Sequence, residues 1–208
     1  MLDIDFAQIF IAFIVLLFSL TVHECAHAWT ADRLGDPTAR LLGRVSLNPI
    51  VHADPIGTVL FPIVAMVANA PLIGWAKPVP VNVHRLRHHR RDYVLVAAAG
   101  PASNIAQAVV AALAFRLLVG SGGDVGLAGS VLIGVVRINL LLAFFNLIPI
   151  PPLDGGNVLA GMLPPAAAGA FEALRRYGFI LLYALMITGV VSALILPPML
   201  LLGRILLP

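Results

Sequence analysis

Charged residues and cysteine are both scarce in this sequence. Asp, Glu, Lys and Arg together make up 11% of its 208 residues, whereas soluble domains usually carry about 25%. This shortage excludes an ordinary water-soluble domain. The only cysteine is Cys25, which excludes an internal disulfide framework. The net charge is +3 and the sequence carries no nucleic-acid-binding motif, so we expect no nucleic-acid partner.

Apolar residues are abundant instead. They account for 60% of the chain, and the mean hydropathy is +0.99, so part of this apolar surface must face lipid. A helix needs about 20 apolar residues to cross a bilayer, and the clearest such stretches are residues 6–29, 93–119, 127–148 and 178–196. We predict a single integral-membrane domain over residues 1–208, with an all-α polytopic fold of about four to five full transmembrane helices.

Basic residues lie beside the apolar stretches and predict the orientation of the chain. Lys and Arg are retained on the cytoplasmic side of a membrane, and here they concentrate at residues 33–44, 77–91 and 175–176. If residues 56–73 crossed the membrane completely, the first two clusters would lie on opposite sides. We therefore predict that residues 56–73 form a re-entrant segment, which keeps all three clusters on the cytoplasmic side.

A polar motif, His23-Glu24-Cys25-Ala26-His27, interrupts the first apolar stretch near its end. Residues four apart share one face of a helix, so both imidazoles can bind one metal ion, and Glu24 can act as a general base on a metal-bound water. The alternative is that the three polar side chains bond one another at the membrane interface. Ionisable groups inside an apolar span are costly and usually functional, which favours the metal site.

A third metal ligand is needed, because a catalytic zinc has three protein ligands and one open position. Asp154 is the acidic residue near the end of the stretch 127–148, and it follows a proline-rich loop. Irregular backbone is tolerated at membrane depth where it lines a cavity or contacts protein, although a plain Pro-Gly turn is the alternative. Asp154 can meet the histidines only if its span runs parallel to the first, which again requires a re-entrant 56–73.

Five motifs in order resemble the site-2 protease family of intramembrane metalloproteases. They are HECAH at 23–27, NPIVHADPIGT at 48–58, GWAKPVPVN at 74–82, AGPASN at 99–104 and NLIPIPPLDGG at 146–156. The similarity extends over most of the chain and is strongest to the compact prokaryotic branch without PDZ or CBS domains. The resemblance implies a zinc metalloendopeptidase with a catalytic core at about residues 6–160 and C-terminal helices at 161–208.

The resemblance also implies the roles of individual residues. His23, His27 and Asp154 would hold one Zn²⁺ per chain, and Glu24 would activate the attacking water. Asn146 would lie near the scissile carbonyl. The implied substrate is a membrane-spanning protein, such as a membrane-anchored regulator or a remnant signal peptide, cleaved within the lipid bilayer of the cell (plasma or inner) membrane. The active site would lie towards the cytoplasmic side, and the sequence does not indicate an oligomeric state.

Several further residues have more than one interpretation. His52 and Asp54 could orient a zinc ligand from outside the coordination sphere, or His52 could itself be an extra ligand. Asp54 also fits as the cap of a helix that begins at Pro55. Asn104 belongs to a run of small residues that predicts close helix packing.

Residues 77–81 alternate as an edge strand would. We therefore predict a short edge strand near residues 75–83 that pairs with an extended substrate. A rigid, proline-rich connector is the alternative.

A metal-ion transporter or sensor could use the same histidine and aspartate ligands. Transporters usually distribute polar residues through the membrane depth and contain internal repeats. In this sequence the candidate ligands gather at one end of the apolar stretches, and no repeat is visible. The protease is therefore the favoured interpretation.

Overall fold

In the computed structural model, the described residues are 6–60, 64, 76–122 and 125–207. The helices within them are α1 (Phe6–Arg33), α2 (Thr38–Leu41), α3 (His89–Gly120), α4 (Gly126–Asn146), α5 (Asp154–Met162), α6 (Pro165–Ala173), α7 (Gly178–Ile187) and α8 (Val190–Leu206). Short 3-10 turns lie at Pro49–Val51, Val83–Arg85 and Leu174–Tyr177, and a π-helical turn lies at Pro55–Leu60. The all-α prediction is confirmed for this part of the chain.

Within the described residues, three helices are long and apolar enough to cross a membrane: Gln8–Arg33, His89–Gly120 and Gly126–Asn146. The pair Ala166–Ile187 and Val190–Leu206, bent by 73° at its break, adds a fourth span if it counts as one. The described residues therefore contain at most four candidate transmembrane spans, the lower end of the predicted four to five. Gly189 forms the break with a left-handed φ of +77°, a conformation that glycine adopts without a steric cost.

The outer surfaces of α1 and α3 suit a lipid environment. Phe10, Phe18, Leu113 and Leu117 are between 56% and 76% exposed. Large apolar side chains are rarely exposed together on a water-soluble monomer. These helix faces therefore match the membrane protein predicted from the composition.

Helix α3 occupies the centre of the bundle, where it packs against α1, α4 and α5. Ala108, Ala111 and Ala112 of α3 meet Val136 and Leu140 of α4 in a buried cluster. Small side chains let two helices approach closely in a membrane. This close approach brings polar residues of α1, α3 and α4 within reach of one another in the interior.

A second apolar cluster fixes the loop that precedes α5. Ile148 and Leu153 of this loop pack against Leu182 of α7 and against Val191 and Ile195 of α8. The C-terminal helices thus cover the proline-rich segment on one side. Asp154, the first residue of α5, is held in place by this packing.

The predicted edge strand near residues 75–83 is wrong. Residues 76–82 have no regular secondary structure and pair with no described strand. The amide of Lys77 donates to the carbonyl of His52 at 2.8 Å, and the carbonyl of Lys77 accepts from the guanidinium of Arg44. The prolines of the segment have no N–H to donate to a ladder, so loop and side-chain contacts hold it as an extended connector.

Most of the predicted re-entrant segment, residues 56–73, lies outside the described residues. Its described beginning is the π-helical turn Pro55–Leu60. Asp54 caps this turn, because its Oδ1 accepts from the amides of Ile56 at 2.9 Å and Gly57 at 2.7 Å. The contacts of Asp54 are therefore those expected of a cap at the start of this turn.

Candidate metal centre

His23 and His27 lie one turn apart on α1 and point into the bundle. Their exposed fractions are 3% and 7%, and their Nε2 atoms are 3.1 Å apart. The four-residue spacing of the motif produces this arrangement, because it places both side chains on one face of the helix.

Asp154 completes the cluster from the start of α5. Its Oδ2 atom lies 3.1 Å from Nε2 of His23 and 3.3 Å from Nε2 of His27. Among the described residues, the three side chains form a group of possible metal ligands whose ligating atoms all lie within 4.8 Å of one another. The structure thus brings together the three residues that the sequence analysis named as zinc ligands.

Gly155 and Gly156 allow Asp154 to reach this position. A Cβ on Gly155 would overlap the carbonyl of Leu147, and a Cβ on Gly156 would overlap the backbone at Ile150. The start of α5 therefore packs directly on the backbone of the preceding loop. Larger residues at these positions would push Asp154 away from the histidines.

The hydrogen bonds of the two imidazoles determine which nitrogen faces the cluster. Nδ1 of His27 lies 2.7 Å from the carbonyl oxygen of Val96, and Nδ1 of His23 lies 2.6 Å from Oδ1 of Asn104. Both oxygens can only accept, so both Nδ1 atoms carry the hydrogen. Each neutral imidazole then directs the lone pair of Nε2 towards Asp154.

Three acceptor atoms therefore face one another, and Oδ2 of Asp154 has no hydrogen-bond donor among the described residues. Such an arrangement is repulsive unless a positive charge lies among the three atoms, either as a metal ion or as an added proton on an imidazole. Two histidines and one carboxylate are a known ligand set of catalytic zinc. Bonds of about 2.0–2.1 Å place the ligands of a tetrahedral zinc about 3.3–3.4 Å apart, close to the observed 3.1–3.3 Å.

The carboxyl of Asp154 is held in its charged form. Burial alone would raise its pKa, but the positive charge of a protonated imidazole in the cluster, chiefly that of His27, outweighs burial and brings the pKa below its ordinary value. Metal ions bind the deprotonated carboxylate. The electrostatics of the site therefore favour the ligating form.

Gly100 of α3 closes one side of the cluster. A Cβ there would overlap Nε2 of His27 and Nε2 of His23. The backbone of α3 thus passes so close to the imidazoles that only a hydrogen atom fits. The sequence analysis assigned no role to Gly100, although the AGPASN motif contains it.

Glu24 lies on α1 with the two histidines, whereas Asn146 lies on α4, a helix that supplies none of the three possible ligands. Glu24 follows His23 on α1 and is half-buried. Asn146 is the last residue of α4, and its Nδ2 donates to the carbonyl of Leu142 at 3.0 Å. Its amide is therefore bonded to its own helix in this structure rather than to the three possible ligands.

His52 lies outside the cluster of possible ligands. It is 2% exposed, and its Nε2 donates to the carbonyl of Ser46 at 2.8 Å. Its Nδ1 is buried and has no hydrogen-bond partner within the described part of the chain, and its carbonyl accepts from Lys77. His52 thus tethers the connector to the loop that follows α2.

Arg44 is a residue whose contacts the sequence analysis missed, since it was treated only as a cytoplasmic charge. Its side chain is 5% exposed, and it donates to the carbonyl of Lys77. Burial lowers the pKa of Arg44, and the nearby charge of Glu24 opposes this shift. Arg44 belongs to the basic cluster at residues 33–44, so its sequence context did not distinguish it from a charge at the membrane surface.

Comparisons with known proteins agree with this site. The model for peptidase family M50 matches residues 123–185, which include Asn146 and Asp154. YwhC of Bacillus subtilis, whose name marks it as a candidate zinc metalloprotease, is 39% identical over 196 residues, covering 92% of this chain and 86% of YwhC.

Two mycobacterial proteins named Rip2, with the same description, are more distant relatives. Rip2 of Mycolicibacterium smegmatis is 31% identical over 83% of this chain, and Rip2 of Mycobacterium tuberculosis is 30% identical over 81%. The chain spans 64% and 63% of their lengths. No solved structure matches the chain significantly. The chain therefore belongs to peptidase family M50, the site-2 protease family of membrane zinc metalloproteases.

Proposed function

We propose that this protein hydrolyses peptide bonds within the transmembrane segments of membrane-anchored proteins. In this proposal, His23, His27 and Asp154 hold the zinc ion. The observation that carries it is the convergence of three buried acceptor atoms, 3.1–3.3 Å apart, among helices apolar enough to cross a membrane. Ionisable groups inside an apolar bundle are costly and usually functional, and a bound cation would relieve the repulsion among these three acceptors.

The depth of the cluster supports cleavage inside the bilayer with access to water. His27 lies less than two helical turns from Arg33, the last residue of α1. Two turns rise about 11 Å, whereas the hydrocarbon core is about 30 Å thick. The reaction would thus occur below the membrane surface but near one edge. The basic residues beside this end favour the cytoplasmic side of the cell membrane.

Each residue of the centre has a part in the proposed mechanism. When bound, zinc supplies a Lewis acid for the attacking water and the peptide carbonyl. Glu24 takes the proton of the attacking water and returns it to the leaving amine. Asn146, at the end of α4, can donate to the developing oxyanion once its amide turns away from Leu142.

The substrate must be unwound before it is cut, since a helix hides its peptide groups in its own hydrogen bonds. The loop after α2 lies beside the proposed base, because Arg44 of this loop is close enough to Glu24 for their charges to interact. The same loop is tied to residues 76–82 through Arg44 and Lys77. We propose that these two segments border the path of an extended substrate, such as a membrane-anchored regulator or a remnant signal peptide.

The test compares zinc content and proteolysis in wild type and Glu24→Gln. Both proteins are reconstituted in liposomes with a model membrane-spanning substrate. We expect about one zinc ion per chain in both, with cleavage reduced by about 10²–10⁴-fold in the variant because the general base is lost. Glu172→Gln is the matched control, because Glu172 is an exposed glutamate paired with Arg175 on the protein surface.

Each outcome bears on a separate part of the proposal. Cleavage at the wild-type rate by Glu24→Gln would rule out Glu24 as the base. A wild-type protein without zinc would rule out the metal centre. Bound zinc without cleavage, together with zinc flux across the liposome membrane in both proteins, would identify a transporter instead.

A further inference from the structure

A chain of buried side-chain hydrogen bonds runs from His23 across the helix bundle. Oδ1 of Asn104 accepts from Nδ1 of His23 at 2.6 Å, and Nδ2 of Asn104 donates to Oδ1 of Asn139 at 2.8 Å. Nδ2 of Asn139 then donates to Oγ of Ser19 at 2.9 Å. The chain links α1, α3 and α4 through side chains that are no more than 3% exposed.

The chain contradicts the packing role predicted for Asn104, since its amide makes specific bonds on both sides. Burying an amide without partners costs about 1–3 kcal/mol in proteins. Two asparagines at the centre of an apolar bundle are therefore retained for the bonds that they make. Asn139 was visible in the sequence as a polar residue inside the apolar stretch 127–148, but its partners were not.

The donor-to-acceptor direction of this series of hydrogen bonds is fixed at Asn139. Nδ2 of Asn139 also donates to the backbone carbonyl of Val135 at 2.9 Å, and a carbonyl can only accept. The amide of Asn139 is therefore oriented with its oxygen towards Asn104. This orientation in turn directs Nδ2 of Asn104 to Asn139 and Oδ1 of Asn104 to His23.

The consequence at His23 is a defined tautomer. With an acceptor against Nδ1, the hydrogen stays on Nδ1 and the lone pair of Nε2 faces Asp154, which is the form that binds a metal. His27 obtains the same tautomer from the carbonyl of Val96, a backbone atom that no substitution removes. The two histidines are thus oriented by different means, one by the backbone and one by side chains.

We infer that Asn104 and Asn139 are positioning residues that hold His23 in the tautomer and ring orientation required for zinc. The inference rests on the proposed zinc site. Asn139 acts at a distance, because in the described part of the chain it bonds to Asn104 and not to His23 itself. If the oxygen of Asn139 is removed, the amide of Asn104 loses its orientation and can present its nitrogen to His23.

The test measures zinc affinity of the full-length protein by competition with a zinc chelator. Asn104→Leu and Asn139→Leu keep the number and branching of side-chain heavy atoms but remove the amide, and each should weaken zinc binding by about 10–100-fold, as the loss of an outer partner of a ligand typically does. Asn104→Asp keeps an acceptor against Nδ1 of His23 but loses the donor to Oδ1 of Asn139, so it should retain more zinc affinity than Asn104→Leu and less than wild type.

Thr21→Val is the matched control on α1. Thr21 is 1% exposed, and its hydroxyl donates to the carbonyl of Leu17 at 2.7 Å. The substitution therefore removes one buried hydrogen bond from the same helix but leaves the hydrogen bonds between His23 and Asn139 in place. Zinc affinity should not change. The thermal stability of each zinc-free protein shows whether the bundle is intact.

Two results would overturn the inference. One is wild-type zinc affinity in Asn104→Leu, and the other is an equal loss of affinity in Thr21→Val, which would indicate general loosening of α1. If the leucine variants do not fold, ¹⁵N NMR of histidine-labelled, zinc-free wild type gives the answer at a pH where the imidazole is neutral. A resonance of His23 protonated at Nε2 would refute the tautomer.

Failure of this inference is distinguishable from failure of the proposed function. If the wild-type protein binds no zinc, the proposed metal centre is refuted. If the wild-type protein binds zinc and cleaves its substrate, but Asn104→Leu retains full zinc affinity, only the positioning role of the two asparagines is refuted.

Discussion

The close passage of α3 over the metal centre gives a sharp prediction for Gly100→Ala. A Cβ at this position would lie 2.5 Å from Nε2 and 2.6 Å from Cε1 of His23. Ordinary contacts with a Cβ begin at 3.4 Å. Nε2 of His23 must therefore move by about 0.9 Å (3.4 Å minus 2.5 Å), several times the ~0.2 Å tolerance of a zinc–ligand distance.

The fold itself should survive this substitution. Alanine is favoured over glycine in a helix interior by about 1 kcal/mol, and overpacking a core by one methyl group costs about 1–3 kcal/mol. The net loss in the free energy of unfolding is then about 0–2 kcal/mol. Zinc affinity, by contrast, should fall by more than the ~10–100-fold that follows the loss of an outer hydrogen bond to a ligand.

The assay is zinc binding by chelator competition, together with thermal unfolding of the zinc-free protein. Gly134→Ala is the matched control, because Gly134 lies inside the spanning helix α4 and a Cβ there meets nothing within 4 Å. We expect Gly134→Ala to bind zinc as wild type does. Unchanged zinc affinity in a folded Gly100→Ala protein would refute the proposed geometry of the centre.

Two further predictions concern the third ligand and the connector. Asp154→Asn keeps the shape of the side chain but removes its charge, so the protein should lose zinc during dialysis. The control is Asp92→Asn, which changes a buried aspartate that bonds to the amide of His88. The control protein should retain its zinc. Arg44→Met removes the bond to the carbonyl of Lys77, a charged bond that contributes about 1.5–3 kcal/mol. Amide hydrogen exchange at Lys77 should accelerate while zinc affinity is unchanged, and unaltered exchange would show that Arg44 does not hold the connector.

Two errors of the sequence analysis have the same physical origin. The edge strand near residues 75–83 was predicted from alternation alone, but a strand exists only when a partner supplies its hydrogen bonds. The amide of Lys77 bonds instead to His52, in a distant loop. Asn104 was assigned to packing because its partners, His23 and Asn139, lie 81 and 35 residues away.

The sequence by itself determined the features that depend on composition and short spacing. The scarcity of charge required a membrane, the four-residue interval between His23 and His27 placed both imidazoles on one helix face, and the order of five motifs indicated the family. Only the tertiary structure decided which distant atoms meet. The contact of Gly100 with the histidines and the bonds from His23 to Asn139 exist because α1, α3 and α4 pack closely, and helix packing depends on side chains far apart in the sequence.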